Sequence, residues 1–144
     1  MLLFRVGSET YAVGIRALWE VLLPEGVTDI PTPPYQLCTA LAYRGRRLPL
    51  VRMSELFGVP AKSVPVSARV VLIQSAAGPL GLLVDAVLGV LEIDIGRILP
   101  VPRLATQLGA GIFRGVFSRD GAAVLVVGED GLGALEEVAR FSGG

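Results

Sequence analysis

The sequence predicts a mostly antiparallel β protein, built either as a sandwich or as barrels. Short apolar runs are separated by turn signals about every 8 to 12 residues, which is typical of such folds. The 18 glycines and 10 prolines among 144 residues leave room for brief helices only. A hydrophobic fraction of 52% can supply a sizeable core without disulfides or metals.

The chain opens with a predicted hairpin and a predicted helix. Residues 2–6 and 10–13 are separated by a Gly-Ser-Glu turn, which predicts two strands. A helix that ends at Pro24 is predicted next, because apolar residues fall at i, i+3, i+4 and i+7. These residues are Ile15, Leu18, Trp19 and Leu22. We expect Trp19 to lie in the core.

A second predicted hairpin places an Arg-Gly-Arg turn at residues 44–46 before a strand over 48–53. Pro49 has no N–H to donate, so this strand is expected to lie at a sheet edge or to carry a bulge. Ser54 is expected to cap a short helical turn that ends at Gly58.

The second half of the chain is also predicted to form mainly strands. The polar, proline-bearing stretch 59–68 is the best place for a subdomain boundary. Residues 69–74 predict one strand, and the glycine-broken run 80–93 predicts two. An Asp-Gly pair at 120–121 predicts a hairpin turn, and residues 132–138 suggest a short closing helix.

Composition restricts the classes of function. The 13 basic and 13 acidic residues cancel, so no long-range field draws the chain to nucleic acid or to an anionic membrane. The longest uncharged stretch, residues 70–84, is too short and too polar to span a membrane, and the first residues do not read as a signal peptide. The single cysteine, Cys38, cannot form an internal disulfide, so we expect a buried thiol and a cytoplasmic protein.

No catalytic constellation stands out. The chain has no histidine, which removes the commonest general base and a common metal ligand. Cys38 therefore has no activating base, and Glu92 and Asp94 are expected to be solvated. We expect no catalytic residues, no cofactor and no metal, and we favour a binding module.

Four stretches resemble the CheW-like adaptor domains of bacterial chemosensory systems. FRVGSETYAVGI resembles the opening of that family, and YRGRRLPLVRM resembles its Asn-Leu-Arg-Gly signature with the apolar-Pro-apolar strand that follows. GLLVDAVLGVLEI is similar to the Val-Asp-x-Val segment of the family, and RILPVPRL to the proline-marked loop after it. The matches keep the family order from residue 2 to about residue 133.

This resemblance implies a fold and a function. The fold is one CheW-like domain over residues 1–144, made of two intertwined five-stranded β-barrels similar to SH3 domains, with a boundary near 59–68. The function is a non-catalytic adaptor that couples the cytoplasmic tip of chemoreceptors to the regulatory domain of the histidine kinase CheA. Such a protein would work at membrane-associated receptor arrays without inserting into the membrane and without binding nucleic acid.

The resemblance also implies protein-binding positions, which are Leu18, Glu20, Thr39, Arg44, Val70 and Val90. Leu18 and Glu20 match positions at a kinase or receptor face. Arg44 matches the signature arginine, and we expect it to pair with Glu20; an exposed turn charge is the alternative. Val70 and Val90 match positions that line a receptor groove, and ordinary core is the alternative for both of them and for Leu18.

Four positions depart from the family pattern, namely Gly14, Thr39, Ala42 and Arg52. Gly14 replaces an Asp that often caps a helix, and Ala42 replaces the signature Asn. Thr39 adds a β-branched side chain where Gly is usual, and Arg52 reverses an acidic charge. Arg52 and its neighbours Arg46 and Arg47 are expected to protect an edge strand or to shape the choice of partner.

These departures keep a second function open. The alternative is a divergent CheW-like module that binds only one partner, or a different kinase, in a non-standard chemosensory pathway. An apolar surface patch at each of two sites would favour the bridging adaptor, and a single patch would favour the divergent module. A small enzyme would instead need a pocket with several converging polar groups.

Overall fold

The computed structural model describes residues 1–32, 36–59, 63–101, 111–135 and 137–139, without the side chains of 31–32 and 36–38. The strands are β1 (Leu2–Val6), β2 (Glu9–Val13), β3 (Leu18–Leu22), β4 (Val27–Thr32), β5 (Gln36–Tyr43), β6 (Arg46–Arg52), β7 (Arg69–Ser75), β8 (Gly78–Val84), β9 (Ala86–Val90), β10 (Phe113–Arg119) and β11 (Ala122–Val127). The α-helices are α1 (Met53–Leu56) and α2 (Glu129–Gly133), and single 3-10 turns occupy Ile15–Ala17 and Ile95–Arg97. Residues 137–139 are also helical, so the helix predicted over 132–138 is present as two helical segments within the described residues.

The strands form two mixed sheets. One has the order β10-β11-β2-β1-β9 and the other the order β3-β7-β8-β6-β5-β4. Neighbouring strands are antiparallel except for β11 with β2 and β6 with β8. The chain starts in the five-stranded sheet, builds the six-stranded sheet and then returns. The predicted mostly β fold is confirmed, and the two sheets are intertwined along the chain.

Each sheet uses one face for a shared core and the other for a small core of its own, because successive residues of a strand point to opposite faces. The shared core includes Phe4, Tyr11, Met53, Ile73, Leu80 and Leu82. The five-stranded sheet curls around Leu3, Ala12, Phe117, Val124 and Val126. The six-stranded sheet curls around Leu41, Leu48, Leu50, Val70 and Leu72.

The second sheet has six strands where the resemblance implied five, because one stretch of chain bends. β3 pairs with β7 and β4 pairs with β5, so the two strands lie at opposite ends of the sheet order. Pro24 and Gly26, the latter at φ +72°, lie in the bend between them. The N–H of Ala42 donates to the carbonyl oxygen of Gly26 at 3.0 Å, which fixes the bend against β5. The bent stretch thereby closes the sheet into a barrel.

The helix predicted to end at Pro24 is wrong. One 3-10 turn leads directly into β3, which pairs with β7 and lies at an end of the sheet order. Short isolated helices are marginal in water, whereas pairing with the apolar strand β7 buries one face of β3. Trp19 is 52% exposed, so its predicted place in the core is also wrong.

β6 lies inside its sheet, contrary to the edge position or bulge predicted from Pro49. Its pairing with β5 ends where Pro49 faces Ala40, and its pairing with β8 begins at Leu50, with both ladders in unbroken register. Pro49 therefore lies at the point where the pairing of β6 changes from β5 to β8. This position explains why a residue without an N–H is tolerated inside the sheet.

Ser54 lies inside α1, so its predicted capping role is also wrong. The N-cap position belongs to Arg52, whose side chain makes no cap hydrogen bond. The helix begins at Met53, whose side chain is fully buried in the shared core. The chain turns away at Gly58, at φ +67°, as the sequence predicted.

The predicted Arg-Gly-Arg and Asp-Gly hairpin turns are both confirmed. Arg44 and Gly45 have φ of 47° and 77°, and Asp120 and Gly121 have φ of 52° and 80°. Two successive residues at positive φ give a turn that matches the twist of the flanking strands.

The second half of the chain contains the strands that its sequence predicted. Residues 69–74 form most of β7, and the run 80–93 contains most of β8 and all of β9. Residues 59–68 connect α1 to β7, which lies in the same sheet as β6, and the subdomain boundary there stays a prediction. The described residues contain no helix that is both long and apolar enough to cross a membrane.

Candidate protein-binding surfaces

Glu20 and Arg44 meet where the six-stranded sheet closes. Nη2 of Arg44 lies 3.6 Å from Oε2 of Glu20, which confirms the expected ion pair. The hydroxyl of Tyr43 donates a hydrogen bond of 2.7 Å to the same carboxylate oxygen. The guanidinium of Arg44 also lies over the Tyr43 ring, 5.1 Å from its centroid. Tyr43 is a third member of this cluster, and it was missed because only the arginine belongs to the family signature.

This cluster is exposed and adds little to stability. The side chain of Arg44 is 75% exposed, and exposed ion pairs contribute only about 0 to 1 kcal/mol. The hydrogen bond to Glu20 raises the pKa of the Tyr43 hydroxyl, because the neutral phenol is the donor; desolvation adds to this effect and Arg44 opposes it. The cluster therefore orients Arg44 on the surface without anchoring the fold.

Beside this cluster, the outer face of β3 is apolar. Trp19, Val21 and the adjacent Leu23 are all exposed. Val21 and Leu23 line a shallow recess of about 350 Å³, which Tyr43 and Arg44 also line. Together Trp19, Val21, Leu23, Glu20 and Arg44 form what we call the β3 surface. Its three apolar residues were missed because the helical reading placed part of this segment in the core.

A second exposed apolar edge lies on the other sheet. Leu88 and Val90 lie on β9, at one end of the five-stranded order, and both are exposed. Val90 is 67% exposed, so it lies on the surface and is not an ordinary core residue. We call Leu88 and Val90 the β9 surface.

Two of the six predicted positions belong mainly to the interior. Val70 is fully buried in the six-stranded barrel, opposite Leu22 on β3 and Leu83 on β8. Leu18 is half-buried and packs against the shared core. Val70 could therefore affect the binding of a partner only indirectly, through the packing of the barrel.

Thr39 belongs to a separate polar network that crosses three neighbouring strands. Its hydroxyl donates to Oδ1 of Asp29 at 3.0 Å and accepts from Nε of Arg52 at 3.2 Å. Nη2 of Arg52 lies 3.6 Å from the same Asp29 oxygen. Arg52 therefore does not protect a sheet edge, because it lies on β6, which is an interior strand. The charge of Arg52 is also paired with Asp29 on β4.

The carboxylates singled out in the sequence lie apart from any cluster of potential metal ligands in the described part of the chain. Glu92 and Asp94 are exposed, and within the described ranges no group of three or more potential metal ligands lies together. A cavity of about 440 Å³ beside α2 is lined by apolar side chains together with Arg16, Arg114 and Glu129. Arg114 and Glu129 form an ion pair of 3.6 Å there. Cys38 lies outside the described side chains.

Comparison with known proteins agrees with these features. The profile of the CheW-like domain matches residues 1–136. The chemotaxis protein CheW of Rhizobium meliloti (strain 1021) is 30% identical over 137 residues, covering 95% of this chain and 88% of that protein. The chemotaxis protein CheW of Klebsiella aerogenes is 25% identical, covering 96% and 83%.

A solved structure shows the same fold. The crystal structure of the scaffolding protein TtCheW from Thermoanaerobacter tengcongensis matches with a TM-score of 0.79 and 22% identity, covering 94% of this chain and 92% of that one. The family profile spans nearly the whole chain, and the 30% identical relative is covered over most of its length. The chain therefore belongs to the CheW family of chemotaxis adaptor proteins.

Proposed function

We propose that this protein is a non-catalytic adaptor that couples chemoreceptors to the histidine kinase CheA. The observation that carries this proposal is the pair of exposed apolar edges on separate sheets, the β3 surface and the β9 surface. A bridging protein needs two separate contact surfaces, and contiguous exposed apolar residues are typical of contact surfaces. Two surfaces favour the bridging adaptor over the divergent module that binds one partner.

The two surfaces differ in chemistry, which suggests which partner each one binds. The β3 surface combines apolar residues with the Glu20–Arg44 ion pair on a strand that has one paired edge. A strand edge of this kind suits a partner that is itself a β-barrel, as the CheA regulatory domain is expected to be. The β9 surface holds Val90, whose family position lines the receptor groove. We assign the kinase to the β3 surface and the receptor tip to the β9 surface.

Calorimetry with purified components tests this proposal. The full chain is titrated with the regulatory domain of the CheA homologue encoded nearest to it, and separately with a fragment of a receptor signalling tip. We expect binding to both, and a ternary complex when all three are mixed. Binding to only one partner would favour the divergent module, and a folded protein that binds neither would contradict the proposal.

A further inference from the structure

The short helix α2 connects the two sheets at a place where the chain itself does not cross between them. The chain crosses at residues 14–17, between β2 and β3, and at Asp85, between β8 and β9. α2 follows β11 of the five-stranded sheet, yet it packs against the turn between β7 and β8 of the six-stranded sheet. This turn lies at the opposite end of the seven-residue strand β8 from Asp85, about 20 Å away. α2 therefore adds a third connection, well separated from the one at Asp85.

Two close contacts hold α2 on this turn. Oδ1 of Asp130 accepts a hydrogen bond of 3.0 Å from the N–H of Ala76. Gly133 lies so close to Ser75 that a Cβ atom on the glycine would be 2.5 Å from the serine Oγ and 2.8 Å from its Cβ. Leu132 is fully buried in the shared core, so the helix between these contacts is also packed. The absence of a side chain at Gly133 allows the helix to reach the turn.

The turn does not depend on α2 for its own hydrogen bonds. The buried hydroxyl of Ser75 donates to the carbonyl oxygen of Gly78 at 2.8 Å and accepts from the N–H of Ala77 at 3.2 Å. Ala76 is exposed, so water can replace the Asp130 carboxylate as the acceptor for its N–H. α2 can therefore leave the turn without leaving a buried polar group unsatisfied there. Such a contact is suited to holding two parts in position.

The place of α2 relates the β3 surface to the β9 surface. β3 pairs with β7, and Leu18 at the start of β3 faces Ile73, two residues before Ser75. β9 belongs to the same sheet as β11, the strand that leads into α2. A movement of α2 across the β7–β8 turn would therefore move one surface relative to the other.

We propose that α2 is a latch that sets the relative position of the two sheets, with Asp130 and Gly133 as its positioning residues. While the latch is docked, the β3 and β9 surfaces are held in one arrangement. When it is released, the sheets keep the two chain crossings but lose their attachment at the β7–β8 turn, so they can shift against each other. The latch goes beyond the proposed function, and its effect on bridging rests on that function.

A distance measurement tests the latch without any partner. Cys38 is replaced by serine, and spin labels are attached through Arg47→Cys on the six-stranded sheet and Ser118→Cys on the five-stranded sheet. Both positions are exposed and lie outside the β3 and β9 surfaces. We expect one narrow distribution of distances in this labelled parent, and a broadened or displaced distribution when Asp130→Ala and Gly133→Ala are added together.

Matched variants make the distance measurement decisive. Asp130→Ala alone removes one acceptor at an exposed position, whereas Asp130→Asn keeps an oxygen that can accept from Ala76. We expect the distribution to broaden in Asp130→Ala and to stay narrow in Asp130→Asn. Gly96→Ala is the control, since a Cβ there meets nothing within 4 Å, and it should match the parent. An unchanged distribution in the double variant, or in Asp130→Ala if the double variant does not fold, would overturn the latch.

Binding measurements test the consequence for bridging. We expect the double variant to bind the kinase domain alone, and the receptor tip alone, within about twofold of the wild type, because Asp130 and Gly133 lie on neither surface. The ternary complex should weaken by at least about fivefold, because the sheets must first be ordered at a cost in free energy. Equal ternary affinity in the wild type and the double variant would overturn the role of the latch in bridging. A wild-type chain that binds neither probe would contradict the proposed function, and the distance measurement would then decide on the latch alone.

Discussion

Arg44 adopts a backbone conformation that is uncommon for a residue with a side chain, at φ 47°. The turn between β5 and β6 requires positive φ at both central residues, and this geometry brings Arg44 to Glu20 and over the Tyr43 ring. Since all three groups are at least partly exposed, their arrangement matters more for recognition than for stability.

Arg44→Ala should therefore affect binding more than folding. We expect the affinity for the kinase domain to fall about fivefold to tenfold, and the free energy of unfolding to change by less than about 0.5 kcal/mol. Calorimetry and urea unfolding measure the two quantities. Arg119→Ala is the control, because Arg119 is an exposed arginine at the turn of the other sheet. An unchanged affinity would remove Arg44 from the binding surface.

The Asp29–Arg52 pair is suited to a charge-swap experiment. Arg52→Asp alone would place two carboxylates next to Thr39, and Asp29→Arg alone would place two guanidinium groups there. We expect each single change to lower the free energy of unfolding by about 1 kcal/mol or less, because Asp29 is 49% exposed, and the double swap to recover most of the loss. Urea unfolding of all four proteins measures the coupling. Additive losses would show that the network contributes nothing as a pair.

Tyr43 should show a characteristic response to pH. Its pKa is raised from the ordinary value of 10.0, mainly by the hydrogen bond to Glu20, so the folded state favours the neutral phenol. The stabilisation is then fully present below pH 10 and is lost as the pH rises through the raised pKa. Ultraviolet titration should show that Glu20→Gln lowers this pKa, with Tyr43→Phe identifying the signal. Tyr11 also has a raised pKa, from burial and Glu9, and should be unaffected.

At the scale of elements, local signals predicted the turns and missed β3. The Arg-Gly and Asp-Gly turns depend on the conformations of adjacent residues, so the sequence carries the information directly. β3 depends on β7, which lies about 50 residues further along the chain, and a bulge between Leu18 and Glu20 disturbs the strand periodicity. The spacing of the apolar residues consequently matched that of a helix. For the same reason, Trp19 was predicted to lie in the core although it lies on the surface.

The residues of the candidate site divide in a similar way into those that the sequence could predict and those that depend on the order of the strands. Glu20 and Arg44 could be paired in advance because the family resemblance marks a position for each of them. The contacts of Thr39 with Asp29 and Arg52 join three strands whose order was not known from the sequence. Exposure could not be predicted for Val70 and Val90, because both are valines in apolar strands and only the sheet position separates them.

Gly81 is a tightly packed position of β8 in the six-stranded barrel. A Cβ atom there would lie 2.8 Å from Cδ1 of Leu50 and 2.9 Å from Cγ1 of Val70. We expect Gly81→Ala to lower the free energy of unfolding by about 1 to 3 kcal/mol, because overpacking displaces core side chains. Gly14→Ala is the control, since a Cβ there meets nothing within 4 Å and φ is −64°. Equal stability of the two variants in urea would show that the barrel interior yields easily.

At the scale of the whole molecule, hydrogen bonds between the turns of one sheet and segments that flank strands of the other supplement the shared core. The N–H of Gly7, in the turn between β1 and β2, donates to Oδ2 of Asp85 at 2.7 Å. The N–H of Ala76, in the turn between β7 and β8, donates to Oδ1 of Asp130 at the start of α2. The β3 and β9 surfaces are thus carried by two sheets that are joined at several points, which suits a protein that must hold two partners in a fixed arrangement.

Cutting the chain between residues 59 and 68 should therefore not release two independent domains. A cut there leaves β1 to β6 on one fragment and β7 to β11 on the other, so each sheet loses strands to the other fragment. The six-stranded sheet would lose both β7 and β8, and the shared core would be exposed on every strand that contributes to it. We expect each fragment to be largely unfolded by circular dichroism, and an equimolar mixture to recover the β signal and cooperative unfolding. A fragment that folds cooperatively by itself would contradict this prediction, because it would be stable without the strands that the other fragment contributes to both sheets.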